Sequence, residues 1–464
     1  MTKRRLWLLA AILAFYAFYE LAFAAGAAEA SDAAGGGHGG PVLDILLDLV
    51  VILLAAKLGG DVFERFHQPA VLGELVIGML IGNLHLMGLD VFEAFKHDVT
   101  LEILAELGVI ILLFEVGLES SVKEMMRVGL ASFMVAVFGV VAPFFLGWAV
   151  GYVFLPEESV LVHVFIGATL TATSVGITAR VLKDIGKIQT REARIILGAA
   201  VIDDILGLVI LAVVAGIISA VATGQGGVGS LQILWIITKA LLFVVGAIVI
   251  GSLVVPHYFN FAIRLKVKGV FLSFCLLVCF FLAFLAGKIG LAPIVGAFAA
   301  GIILDRVHFT KFRERGEHTI EELIAPIATF LVPIFFVRMG MLVDLVTFTH
   351  VEILGFAGVM TVVAILGKQA CSLAIFDRNT NRIAIGLGMI PRGEVGLIFV
   401  GIGARLVLDG HPVIGAGTYS AVVIMVIVTT LVTPPLLKMS LLRQDRLKAA
   451  EAARNEQASK PSDQ

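Results

Sequence analysis

Two adjacent aspartates, Asp203 and Asp204, sit deep inside an apolar stretch of about residues 194 to 222, and Lys368 sits inside another, about 351 to 376. A lone charge in the middle of a bilayer costs at least roughly 3 kcal/mol, so residues of this kind are paired or do chemistry. Their depth can be counted from the nearest arginine. Asp203 lies nine residues beyond Arg194, Lys368 ten before Arg378, Arg392 ten beyond Arg382, and Thr171 nine before Arg180. At the helical rise per residue, all four lie roughly 14 to 15 Å from one membrane face. That is the middle of a hydrocarbon layer about 30 Å thick, reached on four separate segments.

Neighbouring aspartates on a helix point about 100° apart, so Asp203 and Asp204 cannot share a proton as a facing dyad does. One of the two needs a cationic partner, and Lys368 at matched depth is the candidate. The other is then placed to face a cavity. A proton and a monovalent cation compete for such a carboxylate, and that competition suffices to couple two opposed flows.

The segments that must hold these groups are poor continuous helices at two places. Thr169-Leu-Thr171-Ala-Thr173-Ser174-Val-Gly176 crowds hydroxyls and β-branched residues around a glycine. Gly386-Leu-Gly388-Met-Ile-Pro391-Arg392-Gly393-Glu394-Val-Gly396 sets a proline among glycines, removing a backbone donor and blocking the preceding turn. Both are expected to unwind at mid-depth, which is tolerated only where backbone is buried in protein or lines an aqueous cavity. Half-helix ends then offer dipoles of both signs to an ion.

The whole chain fits that setting. Of 464 residues, 59% are hydrophobic and 15% charged, with a mean hydropathy of +1.02, which excludes a soluble enzyme. The net charge of -2 is dispersed over loops and offers no surface for nucleic acid. Cys275, Cys279 and Cys371 lie inside apolar blocks and read as packing residues, with no disulfide framework. Lys3-Arg4-Arg5, an apolar run to Ala24 and Ala28-Glu29-Ala30 have the pattern of a signal peptide over residues 1–30, the alternative being an uncleaved helix. Residues 31–41, glycine-rich and containing His38 as a polar linker residue, read as a flexible linker.

Thirteen apolar blocks follow, at about 42–58, 69–88, 99–118, 128–154, 160–180, 194–222, 232–256, 269–287, 289–305, 320–345, 351–376, 382–408 and 414–438. An all-α polytopic membrane domain over 42–438 and a polar tail over 439–464 are expected. Alternate loops beginning with Lys57 and Arg65 hold eighteen lysines and arginines, and the opposite loops hold Lys96, Lys288 and Arg405. This bias puts the basic loops and the C-terminal tail in the cytoplasm. The two irregular segments are the fifth and twelfth of thirteen and cross in opposite directions, as in an inverted repeat with an ion site at its centre.

Gly198-Ala-Ala-Val-Ile-Asp203-Asp204-Ile-Leu-Gly207, Ala172-Thr173-Ser174-Val-Gly176-Ile-Thr178-Ala-Arg180 and Met389-Ile-Pro-Arg392-Gly-Glu394-Val-Gly396 resemble the monovalent cation:proton antiporters. Within these they resemble the bacterial electrogenic sodium/proton antiporters with paired aspartates, over about residues 42–438. The resemblance implies that Asp204 is the alternately protonated, cation-binding carboxylate and that Asp203 is ion-paired with Lys368. It implies that Thr173 lines the ion site and that Arg392 and Glu394 form a charged pair steadying the unwound backbone. It further implies thirteen transmembrane helices in the inverted-repeat antiporter fold, with the unwound fifth and twelfth spans crossed. A core of spans 4 to 6 and 11 to 13 would move as a lift against the rest, in a homodimer, in the cell membrane, which is the inner membrane if the host is bacterial. No cofactor is implied; the substrates are a monovalent cation, sodium or lithium first, and protons.

The remaining charges have plainer readings. Glu74 and Glu115 read as interfacial residues, or as an acidic funnel; Glu102 and Glu106 as a solvated face; Arg338 and Asp344 as a pair or as snorkelling groups. His67, His85 and His163 read as interfacial polar residues, with a pH sensor as the alternative. Potassium/proton or electroneutral exchange is the alternative function. A channel lacks a filter motif, and an intramembrane aspartyl protease needs facing aspartates from different helices.

Overall fold

A computed structural model describes residues 41–458 apart from 67, 89–91, 120–128, 223–229, 263, 266, 268, 305–318, 376 and 378–379. The expected signal peptide, nearly all of the linker with His38, and His67 lie outside the described residues. Contacts divide the chain into Met1–Leu54, whose described part is helical, and Ala55–Gln464.

The helices longer than one or two turns are α1 Pro41–Arg65, α2 Ala70–Gly82, α3 Val99–Glu119, α4 Gly129–Phe154, α5 Val160–Thr169, α6 Val175–Asp184, α7 Arg191–Ala222, α8 Ser230–Ala262, α9 Val270–Lys288, α10 Pro293–Ile303, α11 Ile320–Met341, α12 Val351–Gln369, α13 Arg382–Gly388, α14 Gly393–Arg405 and α15 Ala416–Ala458. Each of the thirteen apolar blocks carries one of them or one broken pair. Among the described residues, seven helices are long and apolar enough to cross a membrane, or eight spans with the 46° bent pair α13/α14. A hairpin of β1 Val407–Leu408 and β2 His411–Pro412 links α14 to α15, turning at Asp409 and Gly410, both at positive φ. Helix α15 runs on without interruption through residue 439 to Ala458, so the expected tail begins as the continuation of the last apolar helix.

Local chemistry accounts for the ends. Ser159 accepts from Leu161 N at the start of α5, Thr319 from Glu322 N at the start of α11, and Asn381 from Ala384 N at the start of α13; each satisfies a backbone donor that a helix leaves open.

The helices pack in two groups. In the first, α3 packs on α10 and α11, α11 on α2, and α10 on α9 and α8. In the second, α4 packs on α5, α7 and α12, and α15 on α12, α13, α14 and α6. Helix α7 touching α8 is the main link between them. The second group gathers the fourth to sixth and eleventh to thirteenth blocks, as the resemblance implies. The α3–α10 crossing is close because it is glycine on glycine: a Cβ on Gly117 would run into the Phe298 carbonyl, and one on Gly301 into the Phe114 carbonyl. Small residues let helix backbones approach where there is no hydrophobic force between them.

Candidate functional site

Both irregular segments are unwound where expected. Residues 170–174 separate α5 from α6, and 389–392 separate α13 from α14. The breaks meet. Ser174 N donates to Pro391 O at 2.7 Å, and Thr178 Oγ1 donates to Gly388 O at 2.6 Å. The Ser174 hydroxyl, in the N-cap position of α6, donates across to Glu394 Oε2 at 2.7 Å rather than capping its own helix.

Unwound carbonyls in an apolar interior need donors, and two buried cations supply them. Lys368 Nζ donates to Thr171 O at 2.9 Å and to Asp203 Oδ1 at 2.9 Å. Arg392 donates through Nη1 to Ala172 O and through Nη2 to Ala364 O at 3.3 Å. The Lys368 and Asp203 side chains are wholly buried, and Arg392 is 0% exposed. The structure therefore joins Lys368 to Asp203, the pairing expected from matched depth. It does not join Arg392 to Glu394. The expected charged pair is corrected: Arg392 serves the Ala172 carbonyl of the fifth-span break and the Ala364 carbonyl of α12, while Glu394 takes the Ser174 hydroxyl of that same break.

Thr173, expected at the ion site, is 1% exposed, and its Oγ1 has no hydrogen-bond partner among the described residues; the same holds for Asp203 Oδ2. Asp204, the next residue on α7, is half-buried. One residue escaped the sequence reading. Gly139 of α4 faces the ion pair, and a Cβ there would lie 3.5 Å from both Asp203 Oδ1 and Lys368 Nζ and 2.9 Å from Cys371 Sγ. A glycine in an apolar block carries no signal of what it faces.

Two cavities approach the crossing from opposite ends. One of 300 Å³ lies towards the basic loops and is bordered by Ser174, Arg180, Glu394, Thr430, Phe336 and Leu397. The other, of 380 Å³, lies at the far end and is bordered by Glu106, Ser219, Phe335, Ile398 and Arg405. The apolar neighbours Phe335 and Phe336, with Leu397 and Ile398, belong one to each cavity and stand between them.

Other charges differ from their plain readings. Arg338 pairs with Glu102 at 3.3 Å, and Asp344 instead accepts from Val346 N at 2.8 Å. Glu102 and Glu106 keep partly exposed side chains and are also ion-paired, Glu102 with Arg338 and Glu106 with Arg405. His163 is buried against the Leu155 carbonyl at 2.7 Å. His85 lies 3.5 Å from Glu93.

The model of the transmembrane sodium/hydrogen exchanger domain matches residues 50–442. The chain belongs to the sodium/hydrogen exchanger family. This exchanger is a multi-pass integral membrane protein of a family of transporters. It is 41% identical to the high-affinity Na+/H+ antiporter NhaS3 of Synechocystis, over 85% of this chain and 89% of that one. It is 35% identical to the Na+/H+-K+ antiporter GerN of Bacillus cereus, over 87% and 98%. Its fold matches that of the sodium proton antiporter MjNhaP1 of Methanocaldococcus jannaschii, with a TM-score of 0.66 at 15% identity, over 87% of this chain and 99% of that one.

Proposed function

We propose that this exchanger moves sodium, or lithium, against protons by competition of the two for Asp204, in an electrogenic alternating-access cycle of the paired-aspartate kind. The observation that carries the reading is the wholly buried Lys368–Asp203 pair held at the crossing of two broken helices. Asp203 is held by the Lys368 ammonium, and its half-buried neighbour Asp204, adjacent on α7, is the exchangeable carboxylate of this reading. Thr173, with an unused buried hydroxyl, joins it as an oxygen ligand. A proton carried by Lys368 would make the exchange electrogenic.

In this reading the thirteen apolar blocks are thirteen spans, the basic loops and the C-terminus are cytoplasmic, and the second helix group moves against the first within a homodimer. The cavities at the two ends are the paths that the motion opens in turn. Arg392 and Glu394 keep the breaks in register and carry no ion.

The test is proton flux in proteoliposomes under an imposed pH gradient, with sodium, lithium or potassium added in turn, for the parent chain and Asp204→Asn. Dissipation by sodium or lithium that is lost in the variant supports the reading. A sodium response that survives the substitution removes Asp204 as carrier. The second reading is potassium/proton exchange, favoured by the potassium in the name of the GerN relative; a response to potassium alone would select it.

A further inference from the structure

At the end away from the basic loops, charged side chains bridge the two helix groups. Arg405, the last residue of α14, pairs through Nη1 with Glu106 of α3 and lies 3.9 Å from Glu102, one helical turn earlier. Glu102 also holds Arg338 of α11 at 3.3 Å, and Arg338 reaches the Lys96 carbonyl at 3.5 Å. Helix α14 packs on α5 and α15 in the second group, whereas α3 packs on α10 and α11 in the first. The contacts of Arg405 therefore cross between the groups, while the Arg338–Glu102 contact stays within one.

The four charged residues border a cavity of 200 Å³ together with Phe335 and Gly401. Glu106 and Arg405 also stand on the rim of the 380 Å³ far cavity, whose floor includes Ile398, 2% exposed. The two kinds of pair differ in burial: the side chain of Arg338 is 11% exposed and that of Arg405 39%. Partly exposed pairs are individually weak, which suits a contact that is made and broken in every cycle. The more buried Arg338 anchors Glu102 and leaves it presented to Arg405.

We infer that Arg405, Glu106 and Glu102 form a latch between the two helix groups, holding the far end of α14 against α3 so that Ile398, which lines the far cavity, stays buried. The inference rests on the proposed motion of one group against the other. When the far end opens, α14 shifts relative to α3, and the guanidinium leaves both carboxylates together.

Labelling of Ile398→Cys by a membrane-impermeant maleimide in proteoliposomes tests this. The parent chain, whose described cysteines are all buried, provides the background. Arg405→Ala and Glu106→Ala, each added to Ile398→Cys, are expected to raise the labelling rate about fivefold, the weight of a partly exposed ion pair. Arg405→Lys, which keeps the charge, and the swap Glu106→Arg with Arg405→Glu are expected to return the rate to within about twofold of Ile398→Cys alone. Unchanged labelling in both alanine variants, or a swap that labels as fast as they do, overturns the latch. Labelling is read whether or not the chain exchanges a cation, so failure of the exchange assay removes the proposed function while the latch is judged on its own result.

Discussion

Lys368 and Asp203, 165 positions apart in the chain, meet at 2.9 Å with both side chains wholly buried, and the same ammonium also holds the carbonyl of Thr171 in the broken fifth span. One cation thus ties three helical segments together at the crossing. Removing either partner strands a buried charge, which costs about 3 to 5 kcal/mol. Lys368→Met and Asp203→Leu are each expected to lower the thermal midpoint in detergent markedly, and the two together to cost much less than the sum of the single losses. Additive losses in that double-mutant cycle would show that the pair is not energetically coupled.

Asp204→Asn is expected to leave the thermal midpoint close to that of the parent and to abolish cation-dependent proton flux. Binding to the folded state alone stabilises by about 2.7 kcal/mol at a hundred times Kd. Sodium should therefore raise the midpoint of the parent chain and leave that of the variant unmoved. A sodium shift retained by the variant would place the cation elsewhere.

The two breaks are held in register by side-chain hydrogen bonds. Ser174→Ala deletes the donor to Glu394, and a hydrogen bond of this kind contributes about 0.5 to 1.5 kcal/mol. Thr178→Val leaves the Gly388 carbonyl without its partner, a loss of about 1 to 3 kcal/mol. Both variants are expected to speed amide exchange at residues 170–174 and 389–392, read by mass spectrometry. Exchange that rose only at distant helices would mean that these bonds do not hold the crossing.

At the α3–α10 contact a methyl group has no room. Gly301→Ala is expected to destabilise by about 1 to 3 kcal/mol through overpacking. Gly355→Ala on α12, where nothing lies within 4 Å of the added carbon, is expected to change stability by less than about 1 kcal/mol. Thermal unfolding of the two variants side by side separates close packing from a general cost of substitution.

The candidate site was readable to different depths. Asp203 and Lys368 could be matched because charge is costly in hydrocarbon and helical rise converts residue counts into depth. The breaks at 170–174 and 389–392 could be placed because proline, glycine and clustered hydroxyls oppose a continuous helix. Arg392 and Glu394, two residues apart, looked like a pair, yet each is satisfied by the other broken span, a partner that local spacing does not reveal. Gly139 and the ties of Arg405 to Glu106 and Glu102 lay beyond any such reading, since neither a bare backbone nor a charge at a helix end names what it will face.

The sequence by itself determined the membrane setting, the thirteen apolar blocks, the two interrupted helices and the depth of the charged groups. These follow from hydropathy, backbone chemistry and rise per residue, which act locally along the chain. Only the tertiary structure decided that the helices sort into two groups, that carbonyls of the fifth-span break are held by Lys368 and Arg392, and that Arg405 bridges to α3. These depend on which helix faces meet, and the faces are chosen by packing between segments hundreds of residues apart, where small residues, buried charges and unpaired carbonyls must all be satisfied at once.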